Sequence, residues 1–352
     1  MALNSYAGGR FEVVKRGYIG NSFDIDLHSA YPFIISQLPD ISKGSWVKVA
    51  EVNQDALLGF YRVIVDIPPN KLTPLPFRLG PNLMVYPCGQ FETYITNLEY
   101  NACFEDIDIK VIRGYEFYDK NPSFPFYNEI HRLYDLKKIT PKEDFKYSLI
   151  KIIMNSLYGS FYEKHKQEDY YYTGKMFNPI YASLITSGTR ALIWNMVKKY
   201  YKNIIAIATD GIILDTEPDL IPSNELGNWD LEASGDTIIL RSGIYKIGDT
   251  IRNRGLSKVA HFSTPHGDFN DIFSYIKNVP ELTKYSISSI RPRSMGECLL
   301  HTKKLSKEDI NVFQNITYNI DINSDHKRIW NDNFKNGGEI FERNIDSLPL
   351  FL

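Results

Sequence analysis

The chain is poor in the features that mark specialised classes. Its three cysteines, Cys88, Cys103 and Cys298, are scattered, with no CxxC or Cys/His spacing. That excludes a disulfide scaffold and leaves no zinc motif, so the thiols read as reduced and the protein as intracellular. No apolar run is long enough to span a bilayer. The opening residues MALNSYAGGR have no apolar stretch behind a basic flank, which excludes a secretory signal. Neither sign of charge dominates: 40 Lys and Arg face 42 Asp and Glu, a net of −2. Composition therefore carries no nucleic-acid signature, and any basic binding surface must be local. Internal repeats and low-complexity tracts are absent as well.

What remains is an ordinary globular composition. The 352 residues are 43% apolar and 23% charged, enough for one large or two ordinary domains with a real core. Aromatics are in excess at 14%, carried by 24 Tyr and 20 Phe. Such a surplus suits stacking on bases and equally suits any packed interface.

Along the chain, residues 11–27 read as two strands parted by turn chemistry at Gly20-Asn21-Ser22. Residues 45–118 are β-rich, interrupted by the short helical pattern TYITNLEYNACFE. Two amphipathic helices follow in 124–166, broken at Thr140-Pro141, and another covers 180–200. IIAIATDGIILDT reads as a hairpin with Asp210-Gly211 at its tip. Residues from about 257 onward look like a smaller separate unit with basic clusters.

Three stretches carry chemistry. In Asp26-Leu27-His28-Ser29-Ala30-Tyr31-Pro32, a carboxylate ends an apolar strand, where it and the Leu27 carbonyl can hold a divalent cation. An acidic strand end leading into a helix is the plain alternative. In the second stretch Lys151, Asn155, Tyr158 and Gly159 fall on one helix face. A cation, an amide and a phenol there can meet a triphosphate, a base edge and a base plane, or they can be the polar side of a helix ended by Gly159. The third is Ala208-Thr209-Asp210-Gly211, a hairpin tip that projects a carboxylate or simply a common Asp-Gly turn.

In this order the three resemble the motifs of the family B DNA polymerases. Asp26 to Pro32 follow the family's DxxSLYP with Ala30 in place of Leu, and Lys151 to Gly159 match KxxxNSxYG throughout. Residues 208–211 stand where DTDS is usual, so Ala208 replaces the first carboxylate. Tyr6-Ala7-Gly8-Gly9 match the YxGG loop, notably of protein-primed members. Arg241 to Tyr245, followed by Arg254-Gly255, are similar to the late palm region, with Gly243 where a lysine usually precedes the tyrosine.

The resemblance implies an α+β right-hand polymerase fold: an antiparallel-sheet palm, helical fingers and a small thumb. Its parts fall at 1–44 (palm), 45–120 (β-rich palm insertion), 121–166 (fingers), 167–257 (palm) and 258–352 (thumb and C-terminal region). It implies addition of deoxynucleotides to a primer 3′-hydroxyl with two magnesium ions, manganese able to substitute, held by Asp26, Asp210 and the Leu27 carbonyl. Lys151 would neutralise the triphosphate. Lys137, or its competitor Lys138, would be a second cation. Leu27, Ser29, Ala30, Asn155 and Tyr158 would line the nucleotide pocket, and Tyr31 would be the steric gate against a 2′-hydroxyl. Tyr6, Gly8, Gly9, Gly159, Arg241, Tyr245 and Arg254 would meet DNA. Asp24, two residues before Asp26 on the same strand face, either compensates for Ala208 or faces solvent.

Implied partners are primer-template DNA, deoxynucleotides and a terminal priming protein or separate replication factors, with no membrane. The setting is the cytoplasm of a host cell of a virus or mobile element. Clusters at Lys164-His-Lys166, Arg291-Pro-Arg293, Lys303-Lys304 and His326-Lys-Arg328 are expected to form a DNA track. Only some ten residues precede the first palm strand pattern, so no proofreading is expected. With little chain for a projecting hairpin between Gly159 and Asp210, synthesis is expected to be distributive. The alternative is a degenerate polymerase fold that binds DNA or a priming protein without catalysis.

Overall fold

The computed structural model describes residues 1–80, 83–167, 170–221, 223–254, 256, 262–292 and 312–352. Cys298, Gly255, Arg293, Lys303 and Lys304, named above, lie outside the described residues.

The chain opens on helix α1 (Ala2–Ser5), followed by β1 (Phe11–Val13), the long β2 (Lys15–Leu27) and α2 (Ala30–Ser36). Then come β3 (Ser45–Val49), β4 (Leu58–Ile67), β5 (Phe77–Gly80), β6 (Leu83–Val85), β7 (Gly89–Thr96), α3 (Asn97–Cys103) and β8 (Asp108–Tyr118). Helices α4 (Tyr127–Ile139) and α5 (Phe145–Phe161) lead to β9 (Lys164–Gln167), β10 (Tyr170–Thr173) and α6 (Pro179–Lys199). Next are β11 (Ile204–Ala208), β12 (Gly211–Leu214), β13 (Trp229–Arg241), β14 (Ile244–Ile247) and β15 (Thr250–Asn253). The remainder holds β16 (Phe262–Thr264), β17 (Gly267–Phe269), α7 (Ile272–Asn278), β18 (Lys284–Pro292), β19 (Phe313–Asp321), β20 (Arg328–Trp330) and β21 (Asn344–Pro349).

The main sheet among the described residues is antiparallel and nine-stranded, in the order β1-β11-β12-β2-β13-β14-β15, with β21 added to β2 and β20 to β21. A second antiparallel sheet has the order β3-β8-β4-β7, and a third the order β17-β16-β18-β19. Helix α6 packs between the first two sheets. One apolar cluster joins Ile193, Trp194 and Val197 of α6 to Ile25 and Ile212 on one side and to Tyr61, Val63 and Val65 on the other. The sequence of α6 explains this. Asn178 caps its start by accepting from the Tyr181 amide, Pro179 occupies the first turn, and Lys198 and Lys199 face the negative end of its dipole. Between them the helix is buried on nearly every face, as a helix apolar or small-residued all round must be. Each large apolar side chain buried here contributes about 1.5–3 kcal/mol.

The strand reading of residues 11–27 needs correction. The break falls at Val14, and β2 runs unbroken through Gly20-Asn21-Ser22. Earlier in the same strand Gly17 has φ +94°, and a Cβ there would lie 2.2 Å from the Arg343 carbonyl oxygen, so the close approach of that backbone needs a glycine. Helix α5 continues past Gly159 to Phe161, so Gly159 does not cap it. The hairpin tip is Thr209-Asp210, because Gly211 already pairs with Ala208. Between Gly159 and Asp210 the KHKQ and YYYT segments pair as β9 and β10, a small hairpin.

The C-terminal stretch is not wholly a separate unit either. β21 pairs with β2 from Lys15↔Asp346 to Gly17↔Asn344, so the chain returns to the main sheet. Arg328, expected on a DNA track, is buried: its Nε donates to Ser347 Oγ at 2.7 Å, and it pairs with Glu12. Its neighbour Lys327 donates to the Phe11 carbonyl at 2.8 Å. That cluster holds the fold together.

Candidate active site

The register of three strands brings the acidic residues together. Asp26 at the end of β2 pairs with Gly211 of β12 on one side and with Asp230 of β13 on the other. The Leu27 amide donates to the Asp210 carbonyl at 2.9 Å, which seats the hairpin tip beside Asp26. The tip is strained: Thr209, a β-branched residue, has φ +51°. Its amide donates to the Arg10 carbonyl at 2.6 Å. Gly9 lies directly against it, and a Cβ at Gly9 would meet Thr209 Cγ2 at 2.6 Å. The YAGG loop therefore needs a glycine there in order to support the hairpin. Ser29, before α2, is also left-handed, with φ 53°.

Among the described residues no cation forms an ion pair with either Asp26 or Asp210. Burial, then the charges of Asp210, Glu232 and Asp24, pushes the Asp26 carboxyl up to about 8. Burial likewise raises Asp210, against the opposing pull of Arg254 and Lys151. Asp24 is not solvent-facing: it is buried and accepts from the Tyr245 hydroxyl at 2.9 Å. Burial pushes its carboxyl up to about 6 despite that hydrogen bond.

Asp26 and Asp210 open into a cleft of about 880 Å³. Its walls include Leu27, Ser29, Ala30 and Tyr31 from the first motif and Lys151, Asn155 and Tyr158 from α5. Lys137 and Lys138 of α4 both reach it. Lys137 donates to Ser29 Oγ at 3.0 Å, whereas Lys138 is tied to Glu225 at 3.0 Å. Burial, then Lys151 and Lys142, lowers the Lys137 ammonium below its usual range. Lysines and carboxylates thus share one cleft with Tyr31 and Tyr158, whose ring centroids lie 4.5 Å apart.

Tyr6, Gly8, Gly9, Gly159, Arg241, Tyr245 and Arg254 do not line the cleft. Tyr6 stands behind it, its hydroxyl 2.8 Å from that of Tyr158. Arg254 lies 3.5 Å over the Phe11 ring, and its charge reaches Asp210. Arg241 sits at a register shift of β13, and Gly159 is exposed with open space around it. Of the other basic residues, Lys164 lies 4.4 Å over the Tyr162 ring.

Glu232 was not singled out from the sequence. It lines the cleft from a β-bulge, where the register shifts between Leu231 and Ala233 opposite Ile25 and Asp24. The extra residue of a bulge is re-aimed relative to the strand. Nothing in Trp229-Asp-Leu-Glu232 announces that bulge, because it depends on what β2 places opposite.

The donor set suits a hard cation. Magnesium is commonly held by one or two carboxylates, with the remaining positions left to water and phosphate oxygens. Two neighbouring carboxylates in an open cleft, short of counter-charge, provide that. Among the described residues no group of three or more His, Cys, Asp and Glu closes into a cage.

The model of the family described as DNA polymerase type B, organellar and viral, matches residues 3–205. The chain belongs to that family. It is 26% identical over 329 residues to a DNA polymerase of Acidianus bottle-shaped virus (isolate Italy/Pozzuoli), covering 89% of this chain and 48% of that protein. It is 28% identical over 281 residues to a probable DNA polymerase of Neurospora intermedia, covering 65% of this chain and 29% of that one. The chain therefore spans about half or less of the length of these curated relatives. Its fold is similar to that of Phi29 DNA polymerase solved with primer-template DNA and incoming nucleotides. The TM-score is 0.62 at 16% identity, over 91% of this chain and 62% of that one. The architecture is thus a right-hand-like polymerase fold of mixed α and β elements. Among the described residues no helix is long and apolar enough to cross a membrane.

Proposed function

We propose that this member of the family is a DNA-templated DNA polymerase, and that the cleft is its nucleotide-addition site. The observation that carries this is the convergence of Asp26, Asp210, Lys151, Asn155, Tyr158 and Tyr31 on one cleft from four separate elements. In this reading the main sheet is the palm, α4 and α5 the fingers, and the sheet β17-β16-β18-β19 with α7 the thumb. The β3-β8-β4-β7 sheet is an insertion that a priming protein could contact.

The primer 3′-oxygen attacks the α-phosphorus of the incoming nucleotide, and pyrophosphate leaves. Asp26, Asp210 and the Leu27 carbonyl would hold two magnesium ions, or manganese in their place, which when bound ease ionisation of the primer hydroxyl and steady the triphosphate. Lys151 neutralises charge shifting onto the leaving group, and Lys137 fixes Ser29 while adding positive potential. Asn155 and Tyr158 border the new base pair. Tyr31 sits under the sugar and excludes a 2′-hydroxyl. Tyr245, Arg241 and Arg254, outside the cleft, contact DNA.

The test is extension of a labelled primer on a template strand with deoxynucleotides and magnesium, run beside Asp210→Asn. Extension by the parent and none by the variant is expected. A second reading, a DNA- or priming-protein-binding module without catalysis, is favoured by Ala208, which removes one carboxylate from the hairpin. It predicts retention of primer-template DNA in a gel-shift assay with no extension in either metal.

A further inference from the structure

Three tyrosines from distant parts of the sequence meet beside the cleft. Tyr31 lies in the first turn of α2, Tyr158 late in α5, and Tyr6 in the YAGG loop. Tyr31 and Tyr158 line the cleft and lie ring against ring at 4.5 Å, tilted by 53°. Tyr6 is one layer back. Its hydroxyl is 2.8 Å from the Tyr158 hydroxyl. Burial, then that neighbouring hydroxyl, pushes the Tyr6 phenol far above its ordinary range. The contact therefore stays a neutral O–H···O hydrogen bond at any working pH.

Tyr6 is held from several sides. Its ring stacks on Tyr162 with centroids 3.5 Å apart, and its carbonyl accepts from Arg78 Nη2 at 3.3 Å. The next two carbonyls, of Ala7 and Gly8, accept from Arg190 Nη1 at 2.7 and 3.1 Å. Arg190 is itself buried and locked by its Nε donating to Glu99 Oε1 at 2.9 Å. Tyr158 has a weaker base. It stands on α5, which leaves Phe145 77% and Ile152 62% exposed and is packed along one side only.

We propose that Tyr6 is a positioning residue for sugar selection. By holding the Tyr158 hydroxyl it keeps that ring pressed against Tyr31, so the gate cannot retreat from a 2′-hydroxyl. The inference rests on the reading of Tyr31 as the gate. Its physical basis is that steric exclusion of one hydroxyl is only as strong as the excluding ring is stiff. A gate backed by a side chain on a one-sided helix yields, and a gate backed through a hydrogen bond to a buried arginine-locked loop does not. The side chain that contacts the sugar and the side chain that stiffens it are then different residues.

The experiment compares kcat/KM for dATP and ATP opposite template thymine in the parent, Tyr6→Phe, Tyr158→Phe and the double variant. At Tyr6 phenylalanine keeps the ring and its stacking and removes only the bond, whereas at Tyr158 it also removes the hydroxyl's interaction with Tyr31. The dATP:ATP ratio should fall about fivefold in Tyr6→Phe, the value of one ordinary hydrogen bond, and at least as far in Tyr158→Phe. The double variant should fall no further than Tyr158→Phe alone, since that variant already lacks the bond that Tyr6→Phe removes. Equal losses for both nucleotides at an unchanged ratio would overturn the proposal, since that pattern belongs to a DNA-binding or merely structural Tyr6. So would multiplying losses in the double variant. The same ratio is read without chemistry from binding of dATP and ATP to the protein on a dideoxy-terminated primer-template. If the parent binds selectively but does not extend, a fall of that binding ratio in Tyr6→Phe upholds the coupling while the polymerase reading fails. A constant binding ratio overturns the coupling.

Discussion

Glu12 and Asp26 sit on strands of one sheet, and both carboxylates are largely out of water. Around Glu12 the chain has placed Arg10 and Arg328, with Arg10 Nε at 2.9 Å. Burial pushes the Glu12 carboxyl up, but the two guanidiniums more than reverse this and hold it below its usual range. Around Asp26 the chain has placed Asp210, Glu232 and Asp24, and burial together with those like charges pushes the carboxyl up to about 8. The first arrangement neutralises its charge and ties β1 to β20. The second leaves carboxyls without a cationic partner at the mouth of a cleft, beside residues in strained backbone conformations. A structural cluster closes its electrostatics internally, whereas a site for a cation and a phosphate leaves them open.

The sharpest break of this comparison exchanges a charge for an amide in each cluster. Asp210→Asn should lower primer extension about a thousandfold or more, since an interaction of several kcal/mol with transition-state charge is lost. The same variant should melt no lower than the parent in metal-free buffer. Glu12→Gln should do the opposite. It leaves two buried guanidiniums without a counter-charge and should cost about 3–5 kcal/mol of stability by denaturant titration. A protein in which Asp210→Asn unfolds and Glu12→Gln does not would reverse the assignment.

The two clusters should also answer pH with opposite sign. The folded-state carboxyls of Asp24 and Asp26 are raised, to about 6 and about 8. Their contribution is fully present below the ordinary carboxylate range and is lost as pH rises through those values. Glu12 is lowered, so its contribution is present at neutral pH and is lost as pH falls toward its folded value. In EDTA the melting temperature should therefore decline between pH 5 and 8.5, and the decline should be shallower in Asp26→Asn. Magnesium should flatten it in the parent, because a bound cation takes the proton's place. A melting temperature that rises across this interval in EDTA would contradict the raised carboxyls.

A smaller change sharpens the cleft side alone. Tyr31→Val should relax the preference for deoxynucleotides over ribonucleotides by about tenfold or more, with a melting temperature close to the parent's. An unchanged ratio places the gate elsewhere. Smallest of all is the exposed pair in which Arg132 Nη2 meets Glu129 at 2.6 Å. Arg132→Ala should leave both melting temperature and extension at parental values, since solvent screens such pairs.

Several site residues were legible because their chemistry fixes residue type and spacing together. A carboxylate at a strand end, a cation and phenol at helical spacing, and a hairpin carboxylate remain visible in one dimension. Asp24, Glu232 and Arg328 were misread or missed for a common reason. Each looks like a surface charge, and each acquires its role from a strand remote in sequence. Asp24 is covered by Tyr245, Glu232 is re-aimed by a bulge against β2, and Arg328 is drawn inward by Glu12.

The sequence by itself determined the helices and strands that bear the motifs, since apolar periodicity, caps and turn residues act within a few positions of one another. It also determined which residue types were available for phosphate and cation chemistry. Tertiary structure alone decided which charges are satisfied and which are left open. A carboxylate's proton affinity depends on burial and on neighbours a few ångströms away, and here those neighbours come from the β11–β12 turn, β13 and α5. The same holds for Tyr6: its place behind Tyr158 follows from α6 burying Arg190 beneath the first loop, a contact between residues far apart in the chain.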